Sequence, residues 1–162
     1  MITVEQTFDL DYIGKMLLNP SIYESMKDDS SPSDPSLLLD KIPLLPGFFL
    51  KAIMDGEPVG AWWLRWTSPD TVEAHTALLP SCRGKSAIVA TKKAIEWVFA
   101  NTGASVISSY ALSDSPAVSW FCRAVGMKQG LTEPWPNTRN GKRIEITHFT
   151  INRPIPCPPS QS

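Results

Sequence analysis

Long apolar runs and an excess of positive charge are both absent from this sequence. No stretch approaches the roughly 18 apolar residues that a membrane span needs, and the N-terminus has no basic segment followed by an apolar one. Neither a membrane span nor a signal peptide is therefore expected. Lysine and arginine number 15 against 16 aspartate and glutamate, for a net charge of −1. That balance disfavours binding to nucleic acid through charge alone.

Cysteine is scarce as well. The three cysteines, Cys82, Cys122 and Cys157, are an odd number without close pairing, and no CxxC or Cys–His ligand spacing is present. A structural zinc site is therefore not expected, and no metal is assigned. This cysteine usage favours a reduced, cytoplasmic protein.

Proline is abundant, with 15 residues in 162 against about 8 at the usual frequency of about 5%. Most prolines mark boundaries: Pro20 follows a helical pattern, Pro80 follows a strand pattern, and Pro116 begins a second helical pattern. The last ten residues hold four prolines, so 153–162 is predicted to be an extended tail that could contact a protein partner. Residues 1–152 then form one domain, which is long enough to bury a core.

Hydrophobic periodicity and turn residues predict the order β-α-α-β-β-β-α-β-α-β-β, an α/β (α+β) fold with a mixed sheet. Asp55-Gly56 predicts a hairpin. Ser21 and Ser115 are predicted helix caps, residues 28–36 are predicted to form a loop, and Pro43 and Pro46 bracket another irregular segment. The predicted strands are 1–5, 47–55, 59–67, 71–79, 105–112, 127–133 and 143–152, and the predicted helices are 8–19, 21–29, 85–101 and 115–125.

The turn between strand 71–79 and helix 85–101 is the most informative segment. A strand that turns tightly into a helix leaves backbone N–H groups unpaired at the helix start, which suits a pyrophosphate. Gly84 allows close approach of the backbone, and Arg83 and Lys85 add positive charge. From these residues alone, an ordinary turn with solvated basic side chains remains an alternative.

This turn resembles the acetyl-CoA-binding motif of the GNAT N-acetyltransferase superfamily, Arg/Gln-x-x-Gly-x-Gly/Ala. Arg83 occupies the first position of the motif. Ser86 stands where the family has its first glycine, and Ile88 stands where it has the second glycine or alanine. A Cβ at either position narrows the approach of the phosphates.

A second segment, residues 115–127 (SPAVSWFCRAVGM), resembles a later helix of the same family. Ser115 stands where members carry an asparagine cap, and Gly126-Met127 matches the end of that motif. Cys122 stands where many members carry the tyrosine that protonates the leaving CoA thiolate. The stretch LNPSIYESMKDDSSP also resembles short GNAT-type proteins of tailed bacteriophages, which would act in the host cytoplasm or the virion.

The resemblance implies a GNAT-like domain whose mostly antiparallel sheet opens in a V between strands 71–79 and 105–112. Acetyl-CoA would bind there, and an amine of a small molecule or protein would attack the thioester directly. The residues that would bind acetyl-CoA are Ala77, Leu78 and Leu79 for pantetheine, Arg83, Gly84, Lys85, Ser86, Ala87 and Ile88 for the pyrophosphate, and Ser115.

Two residues of strand 71–79 are candidates for the catalytic base. Alternation places Glu73 and His75 on one face of that strand. Family members often carry a glutamate there, whereas histidine has the better intrinsic pKa for taking a proton from an ammonium. Tyr110 and Cys122 are candidates for the general acid. Structural roles for Glu73, His75 and Cys122 remain open, and a thiol such as Cys122 is more often a small buried hydrophobe.

Other features allow a different class of function. The irregular glycine positions, the missing tyrosine and the proline-rich tail favour a non-catalytic GNAT-like structural or host-interaction protein. Six tryptophans, among them Trp62, Trp63 and Trp66 on one strand, would serve core packing, an acceptor pocket or a protein interface. Asp28, Asp29 and Asp34 would attract a cationic acceptor or form a solvated loop.

Overall fold

The computed structural model describes residues 1–155, which form seven strands and four α-helices. The strands are β1 (Ile2–Thr7), β2 (Phe48–Met54), β3 (Glu57–Trp66), β4 (Thr71–Leu78), β5 (Val106–Leu112), β6 (Lys128–Arg139) and β7 (Lys142–Asn152). The helices are α1 (Leu10–Leu17), α2 (Pro20–Met26), α3 (Lys85–Asn101) and α4 (Pro116–Ala124), with a 3₁₀ helix over Pro35–Leu44.

One sheet contains all seven strands, in the order β1-β2-β3-β4-β5-β7-β6. Neighbouring strands are antiparallel except β4 and β5, which are parallel, so the predicted mixed, mostly antiparallel sheet is confirmed. Asp55 and Gly56 join β2 to β3, and Asn140 and Gly141 join β6 to β7, all four with positive φ. Turns of this kind match the twist of antiparallel strands, and Asp-Gly and Asn-Gly adopt them readily.

The sheet buries a different apolar core on each face. Helices α3 and α4 cover a large core that includes Trp62, Val72 and Val98. Helix α1 and the 3₁₀ helix cover a smaller core that includes Ile13, and Trp63 packs against it. The adjacent tryptophans of β3 therefore lie on opposite faces, as strand alternation predicts.

The two predicted helix caps differ from the structure in detail. The side-chain oxygen of Asn19 accepts a hydrogen bond from the Ser21 backbone N–H at 3.0 Å, so Asn19 caps α2 and the prediction of Ser21 is wrong. Pro20 occupies the first helical position, where an N–H has no intrahelical partner in any case. Ser115 does precede α4, but its side chain makes no capping hydrogen bond and its hydroxyl contacts Asp114 instead.

The stretch between α2 and β2 has more regular structure than its composition predicts. Pro35–Leu44 forms a 3₁₀ helix, and the Asp34 carboxylate accepts a hydrogen bond from the Ser36 N–H at 2.9 Å at its start. Composition indicated a loop over 28–36, where proline and serine are enriched, and an irregular segment between Pro43 and Pro46. The local side-chain cap and the tertiary contact of Ile42 with the smaller core supply the order that composition does not reveal.

The acidic residues that follow α2 attach this stretch to β6. The Asp28 carboxylate accepts a hydrogen bond from Asn137 Nδ2 at 2.9 Å, and the Asp29 carboxylate accepts one from the Thr138 hydroxyl at 2.7 Å. These bonds lie beyond residue 133, where β6 was predicted to end. Long-range contacts of this kind favour the structural interpretation of the acidic stretch.

Beyond β7, the Arg153 guanidinium donates to the carbonyl oxygens of Thr102 and Ala104 at 2.9 and 2.6 Å. The domain boundary after residue 152 stays a prediction. Cys157 and the rest of the predicted tail, residues 156–162, lie outside the described residues. Within the described part of the chain, no helix is long and apolar enough to cross a membrane.

Candidate functional site

β4 and β5 are paired along only the first part of their length. Residues 71–73 of β4 lie opposite residues 106–108 of β5, and the two strands separate after that point. The Ser109 hydroxyl donates to the Ala74 carbonyl oxygen at 3.0 Å where the separation begins. The sheet therefore contains the V-shaped opening that the resemblance implies.

A cavity of about 430 Å³ continues from this opening. Arg83 and Gly84 line one end of it, at the start of α3. Met26, the last residue of α2, and His75 line another part. The cavity thus passes through the sheet from one face to the other. Its volume falls in the range of sites for small molecules, and its lining is mostly apolar.

The first turn of α3 presents backbone N–H groups beside this cavity. Gly84 is the cap residue, with φ 58° and ψ −126°, and has no side chain to bond the first-turn N–H groups. These groups of an α-helix have no intrahelical partner, and they lie at the positive end of the helix dipole. Together with the Arg83 side chain they can bind an anion such as a pyrophosphate.

Backbone groups of β4 point alternately toward β3 and toward the opening. The Leu79 N–H donates to the Val59 carbonyl oxygen at 2.9 Å. Since bonded pairs recur every second residue in an antiparallel ladder, Ala77 and Leu79 direct their backbone groups to β3. Thr76 and Leu78 direct theirs toward the opening, so they are better placed to pair with a ligand there.

The ten residues predicted to bind a cofactor divide into two groups. Five of them line the cavity: Leu78, Arg83, Gly84, Ala87 and Ser115. The other five are not part of its lining: Ala77, Leu79, Lys85, Ser86 and Ile88. Ala77 is fully buried in the sheet, whereas Lys85 and Ser86 lie in the first turn of α3, whose backbone faces the anion site.

Glu73 and His75 are brought together, as alternation predicts. Glu73 Oε1 lies 2.8 Å from His75 Nε2 and 2.8 Å from Arg65 Nη2, and the side chains of Glu73 and His75 are only 16% and 15% exposed. The hydrogen bond from His75 and, after the opposing effect of burial, that from Arg65 lower the pKa of Glu73 to about 2. Glu73 is therefore ionised at neutral pH and is a weak base.

The ionised carboxylate sets the proton position on His75. A carboxylate only accepts hydrogen bonds, so Nε2 of His75 carries the proton of this bond, and in the neutral ring Nδ1 is the nitrogen that has the lone pair. The imidazole stacks on Trp63 with ring centroids 4.6 Å apart, and Tyr110 meets it edge-on at 5.7 Å. The ring is thus fixed at the wall of the cavity with one nitrogen available to accept a proton.

Tyr110 and Cys122, the two candidates for the general acid, both line the cavity. Burial, followed by the negative charge of Glu73, raises the pKa of Tyr110 above its ordinary value. Burial raises the pKa of Cys122 to about 11, and its side chain is 4% exposed within the large core. Cys122 therefore has the environment of a core residue, while Tyr110 contacts His75 directly.

Sequence reasoning did not identify Arg65, Thr76 or Thr91. Arg65 pairs with Glu73 across the β3–β4 hairpin, and aligning the two strands from the turn at 68–70 would have indicated that pair. Thr76 lies on the opposite face of β4 from Glu73 and His75, the two residues of that strand that alternation indicated as candidates. Thr91, on α3, became a candidate only through the shape of the cavity. Residues 1–155 contain no cluster of three or more His, Cys, Asp or Glu side chains that could hold a metal ion.

Solved structures of acetyltransferases share this fold. Spermidine N-acetyltransferase from Vibrio cholerae, in complex with CoA and spermine, is 15% identical with a TM-score of 0.73 over 93% of this chain and 95% of that chain. A Salmonella typhimurium protein assigned as an acetyltransferase, with acetyl-CoA, is 17% identical with a TM-score of 0.68 over 97% and 99%. Ribosomal-protein-alanine N-acetyltransferase from Brucella melitensis is 13% identical with a TM-score of 0.70 over 93% and 99%.

At these identities the likeness establishes the fold. The sequence matches no curated protein. Residues 48–154, which extend from β2 through β7, match the family described as "Protein of unknown function (DUF2824)". The chain therefore belongs to the DUF2824 family, and its fold is that of the GNAT acetyltransferases.

Proposed function

We propose that this protein transfers an acetyl group from acetyl-CoA to an amine of a small molecule or protein. One observation carries the proposal: β4 and β5 separate after residues 73 and 108, and a single cavity joins the N-terminus of α3 to His75 through the gap. An elongated thioester with an anionic end fits that path. Similar structures that contain CoA or acetyl-CoA support the same cosubstrate.

The cosubstrate would lie with its charged end at the start of α3. The N–H groups of the first turn and the Arg83 side chain would bind the pyrophosphate. Thr76 and Leu78 would pair through their backbone with the pantetheine amides, because these residues face the opening. The thioester would then lie near His75 and Tyr110, where the cavity crosses the sheet.

The reaction follows from the two groups at that crossing. Nδ1 of His75 takes a proton from the acceptor ammonium, and the neutral amine attacks the thioester carbonyl carbon. The carbon–sulfur bond breaks, and the CoA thiolate takes a proton from the Tyr110 hydroxyl. The second amine proton and the proton held by His75 leave to solvent, from which Tyr110 is reprotonated. Glu73 is a positioning residue that holds the imidazole and stabilises it when it is charged.

Calorimetry with acetyl-CoA tests the proposal directly. We expect binding that Arg83→Ala weakens about tenfold or more, since a charged hydrogen bond to phosphate is lost. Lys92→Ala is the matched control, because Lys92 is an exposed cation on α3 that does not line the cavity. Absence of binding by the unaltered protein at high micromolar ligand would refute the proposal.

A non-catalytic role, such as a structural or host-interaction component of a phage particle, is the second candidate. Cys122 in place of the family's tyrosine, together with Ser86 and Ile88 at its glycine positions, favours it. The two candidates differ in turnover. Release of free CoA thiol with a panel of polyamines, aminoglycosides and peptide N-termini supports the enzyme, whereas tight binding of acetyl-CoA without release of CoA for any amine supports the second candidate.

A further inference from the structure

The cavity extends further than an acetyl group requires. On the α3 side of the sheet it continues between α3 and α4 into a space that we call the inner chamber. Its walls are the apolar side chains of Leu64, Ala74, Ala94, Ile95, Val98, Ile107, Val125 and Met127. We propose that the inner chamber accepts an acyl group longer than acetyl, roughly four to six carbons, a proposal that rests on the proposed function.

The length of the cavity along α3 supports this assignment. Gly84 and Val98 line the same cavity, and an α-helix rises about 1.5 Å per residue, so these two positions lie about 21 Å apart along the helix. The paired residues 71–73 and 106–108 close the sheet at the far end. An acyl chain that continues past the thioester therefore enters an enclosed space.

Small side chains on α3 create that space. Ala87, Thr91 and Ala94 follow one another at helical spacing along the wall of the cavity, and Val98 continues the row. A leucine or phenylalanine at position 94 would fill the chamber. Val98, Val125 and Met127 enclose its end and are buried, so an apolar chain there would be removed from water.

Two polar atoms in the cavity wall lack a hydrogen-bond partner within residues 1–155. Trp62 Nε1 and Thr91 Oγ1 are buried and have no hydrogen-bond partner among the described residues. Trp62 and Thr91 are only 2% and 7% exposed, and both residues line the cavity. The indole N–H only donates, and the hydroxyl can donate or accept. Because buried polar groups are normally paired, the two atoms indicate that a ligand with acceptor atoms occupies this part of the cavity, whatever the length of its acyl chain.

Calorimetric titration with CoA, acetyl-CoA, butanoyl-CoA and hexanoyl-CoA tests the inference. Each buried methylene contributes about a fourfold gain in affinity, so hexanoyl-CoA is expected to bind at least about tenfold more tightly than acetyl-CoA. In Ala94→Leu the affinities for the three acyl-CoA ligands become equal within about twofold, while the affinity for CoA itself stays unchanged.

The possible results distinguish failure of the inner-chamber proposal from failure of the proposed function. Equal affinity of the unaltered protein for acetyl-CoA, butanoyl-CoA and hexanoyl-CoA would overturn the inner chamber and leave acetyl transfer standing. Weaker binding of the longer ligands would do the same. Failure of the unaltered protein to bind CoA and every acyl-CoA would overturn both proposals.

The melting temperatures of two variants test whether the inner chamber has empty space when no ligand is bound. Ala94 lines the chamber, whereas Ala90, one turn earlier on α3, is fully buried and does not line it. Ala94→Leu is expected to keep or raise the melting temperature, because its side chain enters empty space. Ala90→Leu is expected to lower it by overpacking the core. An equal loss of stability in both variants would mean that position 94 has no room for a longer acyl group.

Discussion

The Oε1 atom of Glu73 lies 2.8 Å from Nε2 of His75 and accepts a second bond from Arg65. The three side chains come from neighbouring positions on β3 and β4. Because the carboxylate is held by two donors, the proposed function gives it the role of fixing the imidazole rather than that of the base. The proposal thus gives separate roles to two residues that the sequence presented as alternatives.

The activity of the protein should depend on His75 more than on its other histidine. His75→Ala is expected to lower kcat for acetyl transfer by about 10²–10⁴-fold, the usual contribution of a general base, and to abolish the rise of the rate with pH. His148→Ala is the control, since His148 pairs with Glu133 on β6 and does not line the cavity. An unchanged pH profile in His75→Ala would exclude the residue as the base.

Glu73 should make the stability of the protein depend on acidic pH. The pKa of Glu73 is about 2 in the folded protein against an ordinary 4.5. Its stabilising contribution, about 3 kcal/mol of unfolding free energy, is therefore present above pH 4.5 and is lost as the pH falls through 2. Urea unfolding between pH 2 and 5 measures this loss. Glu73→Gln should flatten the profile, and Glu96→Gln, at an exposed site on α3, should leave it unchanged.

A side chain at position 84 should strain the backbone and destabilise the protein. Its φ of 58° with ψ of −126° lies in a region that residues with a Cβ rarely adopt. Although a Cβ there would contact no other atom, Gly84→Ala is expected to destabilise the protein by about 1–2 kcal/mol through strain. Gly103→Ala, also in open space but without positive φ, is the control. Equal urea midpoints for the two variants would contradict the strain argument.

Tyr110 and Cys122 should differ in their effect on turnover. Tyr110→Phe removes the proposed proton donor while keeping the ring against His75, so kcat is expected to fall about 100-fold with little change in KM. Cys122→Ala, at a buried thiol whose pKa is about 11, should change kcat less than about threefold. Steady-state kinetics with a saturating amine decides between them. A larger loss of kcat in the cysteine variant would reverse the assignment.

The buried hydroxyl of Thr91 should lower the free energy of unfolding of the unliganded protein. Thr91 Oγ1 has no hydrogen-bond partner among the described residues, so Thr91→Val, which keeps the shape, is expected to raise the free energy of unfolding by about 1 kcal/mol. Thr102→Val provides the contrast, because the Thr102 hydroxyl donates to the Val98 carbonyl oxygen at 2.7 Å. Chemical denaturation should show opposite signs for the two changes.

Local patterns predicted much of the secondary structure. Helix α3 has the bounds predicted for it, residues 85–101, because its apolar spacing and the flanking glycines are local signals. Asp55-Gly56 marks a hairpin for the same reason. The 3₁₀ helix, the Asn19 cap and the length of β6 were missed, since each depends on side chains that are distant in sequence or on competition between neighbouring caps.

The candidate site was predicted in part. Alternation on one strand suffices to place Glu73 beside His75, and the strand–turn–helix order suffices to place Arg83 and Gly84 at a helix start. Register between strands is needed to find that Arg65 holds Glu73, and to find that Ala77 turns its backbone away from the opening. Those relationships are non-local, so no window of the sequence contains them.

By itself, then, the sequence determined the order of elements, the mixed sheet and the residue types available at the opening. Periodicity, turn chemistry and helix starts act within a few residues of the chain. Only the tertiary structure decided where β4 and β5 separate, which nitrogen of His75 is held by Glu73, and how far the cavity extends beyond it. These depend on packing between segments up to about a hundred residues apart, where space and hydrogen-bond partners are set by the whole fold.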